Sequence, residues 1–438
     1  MEWPIVLALI FLGLIVLMLT GLPVAISFMA VNVVAVLIFW GGESGLGQLF
    51  LSMKNSVKSF VLLPFPLFIL LGEVLFRSGM AGRAIDVVDT WLGGVPGRLG
   101  LLGVGAGVVS STLSGSGVAS TAMLSATLVP DMEARGYKKA MSMGPILGSG
   151  GIAMIIPPSA DIVLLASLAS LSVGQLLMAG VFPGILMGIL YAAYIVIRCA
   201  MQPSIAPPYE VPHIPLGAKI LMTLKNVVPI AVIIFLVIGV ILVGIATPSE
   251  AAALGALGAF VLAACYRSLT WEVVRISVLN ATRITVMLLT ILLGAMAFSQ
   301  ILAYTGCVKG LIEFTTSLPL PPVAVLIGML VTVLFLGCFM DEIALMMMIL
   351  PIYMPIVEAL GFDPIWFAIL LLVNFEMALT TPPFGMILFV MKGAGPPDTR
   401  IVDIYKAAVP FLLCDAVAIA LIIVFPEIST WLPTVMTQ

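Results

Sequence analysis

Two stretches of the sequence combine glycines with hydroxyl side chains in a way that suits a small cation. Residues 114–117 read Ser-Gly-Ser-Gly and are followed by Ser120, and residues 148–151 read Gly-Ser-Gly-Gly. Glycine lets the backbone approach a ligand closely, and hydroxyl and carbonyl oxygens are hard ligands that can replace the hydration shell of an ion. This pattern favours sodium binding by neutral oxygens. Tight packing of helices through small residues is the alternative interpretation.

Two proline pairs, Pro157-Pro158 and Pro382-Pro383, stand 225 residues apart in strongly apolar stretches. Proline lacks an N–H group and its ring clashes with the preceding turn, so it ends or kinks a helix. A broken helix persists in a membrane only where it is buried in protein or lines a wet cavity. Matching breaks in two halves of a chain are typical of secondary transporters built from repeats.

The second half adds acidic residues to the same kind of pattern. Asp341 stands 221 residues after Ser120, at the matching position of the second half. We expect its side chain either to face a cavity shared by the two halves or to brace the tip of the second hairpin. An acid at membrane depth is costly and indicates function, whereas its neighbour Glu342 is predicted to cap the following helix. Glu376 has two open interpretations, a proton carrier or a structural hydrogen bond to opened backbone. Thr380 and Thr381 are the preferred sodium ligands.

The composition places the chain in a lipid bilayer. The 438 residues are 62% hydrophobic and 9% charged, against about 25% charged in soluble domains. Residues 5–20, 227–245 and 408–425 are apolar and long enough to cross a membrane. No basic stripe with interleaved aromatic residues occurs, which excludes nucleic acid as a partner. The five scattered cysteines and the single His213 exclude a zinc centre, and no cofactor is expected.

A proline-rich polar segment divides the chain into two halves that match weakly in the same order. Lys and Arg flank the predicted hairpin of the first half but not that of the second, which indicates inverted repeats. With both termini outside, every Lys and Arg except Lys54, Lys58 and Lys309 lies on the cytoplasmic side. The first inverted repeat is predicted at 1–200, with a hairpin at about 100–130 and a broken helix at about 140–172. A cytoplasmic linker is predicted at 201–225. The second inverted repeat is predicted at 226–438, with a hairpin at about 321–351 and a broken helix at about 364–391.

The predicted fold is therefore an all-α polytopic membrane protein with two re-entrant helical hairpins and two broken helices. Its motifs resemble those of the large membrane subunit of the tripartite ATP-independent periplasmic (TRAP) transporters along nearly the whole chain. The motifs are Ser114-Gly-Ser-Gly-Val-Ala, Leu128-Val-Pro-Asp-Met, Ile155-Ile-Pro-Pro-Ser, Ala179-Gly-Val-Phe-Pro-Gly, Gly244-Ile-Ala-Thr-Pro-Ser-Glu, Leu360-Gly-Phe-Asp-Pro and Thr381-Pro-Pro-Phe-Gly-Met. Each motif alone is weak evidence for the family, but the presence of all of them in this order is specific to it.

This resemblance implies an elevator-type, sodium-driven importer of small organic acids in a bacterial or archaeal inner membrane. It also implies two partners, a periplasmic substrate-binding protein and a small four-helix membrane subunit, the latter expected as a separate chain. The sodium ligands that it implies are Ser114, Ser116, Gly117, Ile152, Ile155 and Pro157 at the first site and Gly337, Asp341, Met377, Thr380 and Thr381 at the second. The residues assigned to the substrate are Ser116, Ser120, Ser159, Asp341 and Pro383.

Three other classes of protein compete with this interpretation. A sodium- or proton-coupled carboxylate carrier that works without a binding protein would share the repeats and hairpins. A channel would need a continuous polar pore, whereas the polar residues cluster at two places. An enzyme is not expected, because the sequence contains no Gly-x-Gly-Asp, His-Glu-x-x-His or Gly-x-Ser-x-Gly motif.

Overall fold

The structure is a computed structural model that describes residues 2–57, 62–93, 95–114, 116–207 and 214–436. Lys58, Gly115 and His213 lie outside the described residues, as does the side chain of Ser114. The described part of the chain is helical and contains no strand. The predicted all-α class is confirmed.

The first half begins with five helices, four of which are followed within two residues by a glycine. They are α1 (Trp3–Leu19), α2 (Val24–Phe39), α3 (Glu43–Val57), α4 (Pro64–Arg77) and α5 (Met80–Leu92). Gly79, between α4 and α5, has a φ of 75°, a left-handed conformation that suits glycine. The two helices are bent by 66° at this residue.

The remainder of the first half contains a helix pair and a helix that breaks. Its elements are α6 (Arg98–Ser114), α7 (Gly117–Ala134), α8 (Lys139–Ser149), a 3₁₀ turn (Ile152–Met154), α9 (Ala160–Leu168), α10 (Val173–Ala179) and α11 (Val181–Met201). Helices α6 and α7 pack against each other, and both pack against α8. The break between α8 and α9 contains the first proline pair.

The described part of the second half has as many α-helices as the first, and they are longer on average. They are α12 (Leu216–Asn226), α13 (Val228–Leu242), α14 (Pro248–Cys265), α15 (Trp271–Tyr304), α16 (Cys307–Ser317), α17 (Pro322–Gly337), α18 (Glu342–Ala359), α19 (Pro364–Leu379), α20 (Met386–Ala394), α21 (Ile401–Val424) and α22 (Glu427–Met436). The second proline pair lies between α19 and α20. Glu250 closes a capping box at the start of α14, because its carboxylate accepts the N–H of Thr247 at 2.8 Å.

Several helices are long and apolar enough to cross a bilayer. Among the described residues there are five, or seven if the bent pairs α4–α5 and α12–α13 each count as one span. Helices α6, α17 and α19 are apolar but have at most 17 residues, short of the 20 or so that a span requires. The helix lengths and compositions are thus those of a multi-pass membrane protein in which several apolar helices are shorter than a full span.

Two helix groups meet at the centre of the molecule. In one group α4 packs against α14 and α15, and α15 packs against α2. Within α4, Arg77 Nε forms an ion pair with Glu73 Oε2 one helical turn earlier, at 2.6 Å. In the other group α8 packs against α6, α7 and α21, while α19 packs against α17 and α21. Helices α4 and α6 connect the groups.

The hairpin helices continue past the prolines at which the sequence predicted their ends. Helix α7 runs through Pro130 to Ala134, and α18 runs through Pro351 and Pro355 to Ala359. A proline within a helix removes one backbone hydrogen bond. The surrounding residues of α18, including Ile349 and Leu350, are buried, so tertiary packing maintains the helix despite that loss.

Candidate functional site

The turn between α6 and α7 at residues 114–117 is the first tip, and residues 150–159 between α8 and α9 are the first break. The two meet through glycine backbone. A side-chain carbon at Gly117 would lie 2.9 Å from the carbonyl carbon of Gly150, and one at Gly150 would lie 2.6 Å from Thr121 Oγ1. Glycine at both positions therefore permits the contact. Ser116 caps α7, since its Oγ accepts the N–H of Ala119 at 3.2 Å. The structure thus brings the first predicted hairpin tip to the first predicted break.

The first break is ordered by its own hydrogen bonds. The Ile152 carbonyl accepts the N–H groups of Ile155 and Ile156 at 3.0 and 3.1 Å. Ser159 Oγ donates to the Met154 carbonyl at 2.8 Å and accepts the N–H of Ile162 at 3.3 Å, which starts α9. Pro157 is buried within this loop. The carbonyls of Ile152 and Ile155 therefore contact protein, the latter against Gly180.

Thr121 is a further hydroxyl at this junction. Its Oγ1 is buried and has no hydrogen-bond partner, although buried polar atoms nearly always have one. Because this oxygen lies next to Gly150, it is available to a cation at the meeting point of tip and break. The sequence feature that indicates Thr121 as a candidate cation ligand is its position directly after Ser120.

The turn between α17 and α18 at residues 337–341 is the second tip, and residues 380–385 between α19 and α20 are the second break. The second tip packs against the end of α19 just before the second break, and this contact again involves a glycine. A side-chain carbon at Gly337 would lie 2.5 Å from Cβ of Ala378, so glycine is needed for this approach. Thr380 Oγ1 donates to the Met377 carbonyl at 3.1 Å, and Thr381 Oγ1 donates to the same carbonyl at 2.6 Å. A hydroxyl that donates keeps its lone pairs. The oxygens of both threonines can therefore still bind a cation.

The structure shows which of the adjacent residues Asp341 and Glu342 caps α18 and which faces the cavity. Asp341 is the N-cap of α18, with Oδ2 accepting the N–H of Ile343 at 3.2 Å. Glu342 lines the central cavity described next, whereas Asp341 does not, and Glu342 Oε2 has no hydrogen-bond partner. The predicted capping by Glu342 is therefore wrong. Of the two positions expected for Asp341, bracing the tip is the one found.

A cavity of about 210 Å³ lies between both tips, both breaks and the first helix group. Its polar side is formed by the N-terminal turns of α7, α9 and α18. Its apolar side is formed by residues of α4 and α15, namely Phe65, Ile69, Ile284, Met287 and Leu288. Of the predicted substrate residues, Ser116 and Ser159 line this cavity. Gly117 of the first predicted sodium site lines it as well.

Besides Asp341, two of the predicted substrate residues do not line the cavity. Ser120 is fully buried, and its hydroxyl donates across the α6–α7 pair to the Gly107 carbonyl at 3.4 Å. Pro383 is exposed, and its carbonyl accepts a hydrogen bond from the Tyr405 hydroxyl at 2.6 Å. Neither residue lines the cavity. Their predicted substrate roles stay predictions, since the sequence matched positions without showing which side of each helix faces inward.

Acidic groups in the cavity come from residues that the sequence analysis did not assign to the site. Asp161 stands in the first turn of α9 and lines the cavity together with Glu342. The lining residues that the structure describes include no Lys, Arg or His. The sequence signal for Asp161 is its position three residues after the first proline pair, where an acid is expensive in a membrane.

Glu376 belongs to a separate buried cluster. The Tyr191 hydroxyl of α11 contacts both carboxyls of the cluster, at 3.3 Å from Glu376 Oε1 and at a short distance from Asp415 of α21. All three side chains are at most 1% exposed. Asp415 was not predicted, although an acid within the apolar run of residues 408–425 is a sequence signal for function. The structure supports a hydrogen-bonded role for Glu376.

The chain matches a known family over almost its whole length. Residues 11–428 match the family described as the tripartite ATP-independent periplasmic transporter, DctM component. The C4-dicarboxylate TRAP transporter large permease protein DctM of Pseudomonas aeruginosa is 31% identical over 407 residues, which are 90% of this chain and 93% of that protein. The isethionate TRAP transporter permease protein DctMQ of Oleidesulfovibrio alaskensis is 29% identical over 87% of this chain and 58% of its own length.

A solved transporter has the same fold at low sequence identity. The YdaH transporter of Alcanivorax borkumensis aligns with a TM-score of 0.61 and 15% identity, covering 90% of this chain and 89% of that one. These homologues are transporter permeases and not enzymes. From the motifs, the multi-pass helical fold and the family match together, we conclude that the chain belongs to the large membrane components of the tripartite ATP-independent periplasmic transporters.

Proposed function

We propose that this chain imports a small organic acid across the inner membrane by sodium-coupled secondary transport. The substrate would be delivered by a periplasmic binding protein and would occupy the cavity between the two tips and the two breaks. The observation that carries this proposal is the composition of that cavity, where three helix N-termini and two carboxyl side chains meet and the described lining contains no basic residue.

Three helix N-termini make the cavity suitable for a carboxylate. Backbone N–H groups in the first turn of a helix lack partners within the helix, and the helix dipole places partial positive charge there. Ser116, Ser159 and Asp341 each accept one such N–H group. The remaining N–H groups of α7, α9 and α18 are available to an anion, as in other transporters with interrupted helices.

The acids in the cavity support coupling to a cation. Asp161 and Glu342 belong to no ion pair among the described residues. Adding an anionic substrate beside two half-buried carboxyl groups without a compensating charge would be unfavourable. Sodium at the tip–break junctions would compensate that charge, with ligands from the Thr121, Thr380 and Thr381 hydroxyls and from the glycine-rich backbone. This requirement links substrate binding to sodium.

The order of helices supports inverted repeats and an elevator movement. In each half a helix pair (α6–α7 or α17–α18) precedes a helix that stops before a proline pair and a short helix that follows it. The repeats proposed are residues 1–200 and 226–438, with the linker inside and both termini in the periplasm. The apolar wall formed by α4 and α15 is a surface along which the site can slide without losing hydrogen bonds.

Two partners follow from the family and from a longer relative. The family description names a tripartite and periplasmic system. The DctMQ relative is longer, and this chain covers 58% of it. We therefore propose that a separate small membrane subunit, expected to have four helices, and a periplasmic binding protein act together with this chain.

Reconstitution in proteoliposomes tests the proposal. The purified chain and its small subunit would be given a labelled C4-dicarboxylate or isethionate with the binding protein encoded beside it, with and without an inward sodium gradient. Uptake that requires both the gradient and the binding protein is expected. Equal uptake of free substrate without the binding protein would favour the binding-protein-independent carrier. Uptake indifferent to sodium would refute the coupling.

A further inference from the structure

Glu376 belongs to the second break by sequence but contacts the first break in space. It stands four residues before Thr380, in the last turns of α19. A side-chain carbon added at Gly151 would lie 2.5 Å from Glu376 Cγ and 3.1 Å from its Cδ. The Glu376 side chain therefore lies directly on the backbone of the first break.

The backbone of residues 150–151 is held between two contacts. On one side Gly150 faces Gly117 and Thr121 of the first tip, and on the other side Gly151 faces Glu376. Glycines at both positions allow these approaches to backbone. A displacement of Glu376 would therefore move the carbonyls that face the first tip.

The Glu376 side chain is fixed in this position by its surroundings. It is 0% exposed, and its Oε1 accepts a hydrogen bond from the Tyr191 hydroxyl. Tyr191 is in turn bonded to Asp415 and packed edge-on against Phe411, 5.2 Å between ring centroids. Helices α11, α19 and α21 therefore hold the carboxyl in one place.

We propose that Glu376 is a positioning residue that couples the two cation sites, because it connects the helix of the second break to the backbone of the first. Cation binding at Thr380 and Thr381 fixes the end of α19, and through Glu376 it fixes residues 150–151. This inference rests on the proposed sodium coupling. It assigns the role of Glu376 to shape and hydrogen bonding, so glutamine should replace it and alanine should not.

Sodium dependence of uptake provides the first test. Glu376→Ala removes the side chain from Gly151, and we expect the sodium concentration for half-maximal uptake to rise roughly tenfold, within the usual range of coupling between sites. The sodium Hill coefficient should fall toward about 1. Glu376→Gln keeps the shape and the acceptor for Tyr191, and it should restore both values to within about twofold. Loss in the glutamine variant equal to that in alanine would overturn the positioning role in favour of a charged one.

Trp366→Phe is the matched control. It removes a buried hydrogen bond between α19 and α21, from Trp366 Nε1 to the Ile422 carbonyl at 2.8 Å, without touching either break. This variant should lower thermal stability like Glu376→Ala while leaving the Hill coefficient unchanged. A fall in the Hill coefficient equal to that of Glu376→Ala would show a general packing effect and overturn the proposal.

Hydrogen exchange of the purified protein separates this inference from the proposed function. In the absence of sodium, peptides covering residues 148–156 should exchange faster in Glu376→Ala than in the native protein or in Glu376→Gln. Unchanged exchange in the alanine variant would overturn the positioning role even if sodium coupling holds. Faster exchange together with sodium-independent uptake would retain the contact and refute only the coupling.

Discussion

Gly117→Ala is the substitution that most directly probes the meeting of the first tip and the first break. The added methyl group would point at backbone, 2.9 Å from the carbonyl carbon of Gly150 and closer still to its oxygen. Backbone cannot rotate away as a flexible side chain does. The tip must therefore move away from the break, and the oxygens on its two sides must separate.

The size of the effect follows from overpacking energetics. Forcing an extra methyl group into a well-packed site typically costs about 1–3 kcal/mol. If that cost falls on the cation-bound state, the sodium concentration for half-maximal uptake should rise about 5- to 150-fold. Since α7 can shift as a unit, we expect a smaller change in the thermal unfolding midpoint.

Sodium-dependent uptake in proteoliposomes measures this shift, and Gly328→Ala is the matched control. Gly328 lies within α17, and a side chain there would meet no atom within 4 Å. In that open position alanine should be neutral or stabilise the helix by about 0.5–1 kcal/mol. A Gly117→Ala protein whose sodium dependence stays within twofold of native would refute the tip–break junction as a cation site.

Three further predictions concern neighbouring contacts. Gly337→Ala, which directs a methyl group at Ala378 Cβ 2.5 Å away, should weaken sodium dependence in the same assay. An unchanged curve would remove Gly337 from the second site. Thr121→Val deletes a buried hydroxyl that has no hydrogen-bond partner, so sodium affinity measured by isothermal titration should fall while the unfolding midpoint stays constant or rises. Equal sodium affinity would exclude Thr121 as a ligand. Lys139 bonds Asp398 at 2.7 Å, which raises the pKa of the lysine and lowers the pKa of the carboxyl. Lys139→Met should therefore lower the unfolding midpoint at neutral pH, and the difference from native protein should shrink once the pH falls below the usual aspartate pKa and vanish below the lowered pKa of Asp398. A difference that persists at low pH would contradict this account.

The sequence predicts the places of the helix breaks well because their causes are local. Proline pairs end helices wherever they occur, and glycines next to them mark close approach of backbone. The contacts of Gly117 with Gly150 and of Gly337 with Ala378 lie where the sequence places the two tips and breaks. Thr247 and Glu250 form their cap within four residues, so this feature too was predictable.

The direction of each side chain depends on tertiary packing and was not predictable in the same way. Asp341 and Glu342 are adjacent, and only the start of α18 decides which of them caps the helix and which faces the cavity. Ser120 faces Gly107 within its own helix pair, a contact that depends on how α6 and α7 pack. The cluster of Tyr191, Glu376 and Asp415 joins three helices that are distant in sequence. Asp415 itself was visible as an acid in an apolar run.

A density map of the complete transporter with sodium and substrate would test the central claim most directly. The map should show substrate in the cavity of about 210 Å³, with its carboxylate at the first turns of α7, α9 and α18. It should also show cation density where each tip meets its break. Substrate density outside this cavity, or a cavity that stays empty under saturating substrate, would contradict the proposed site.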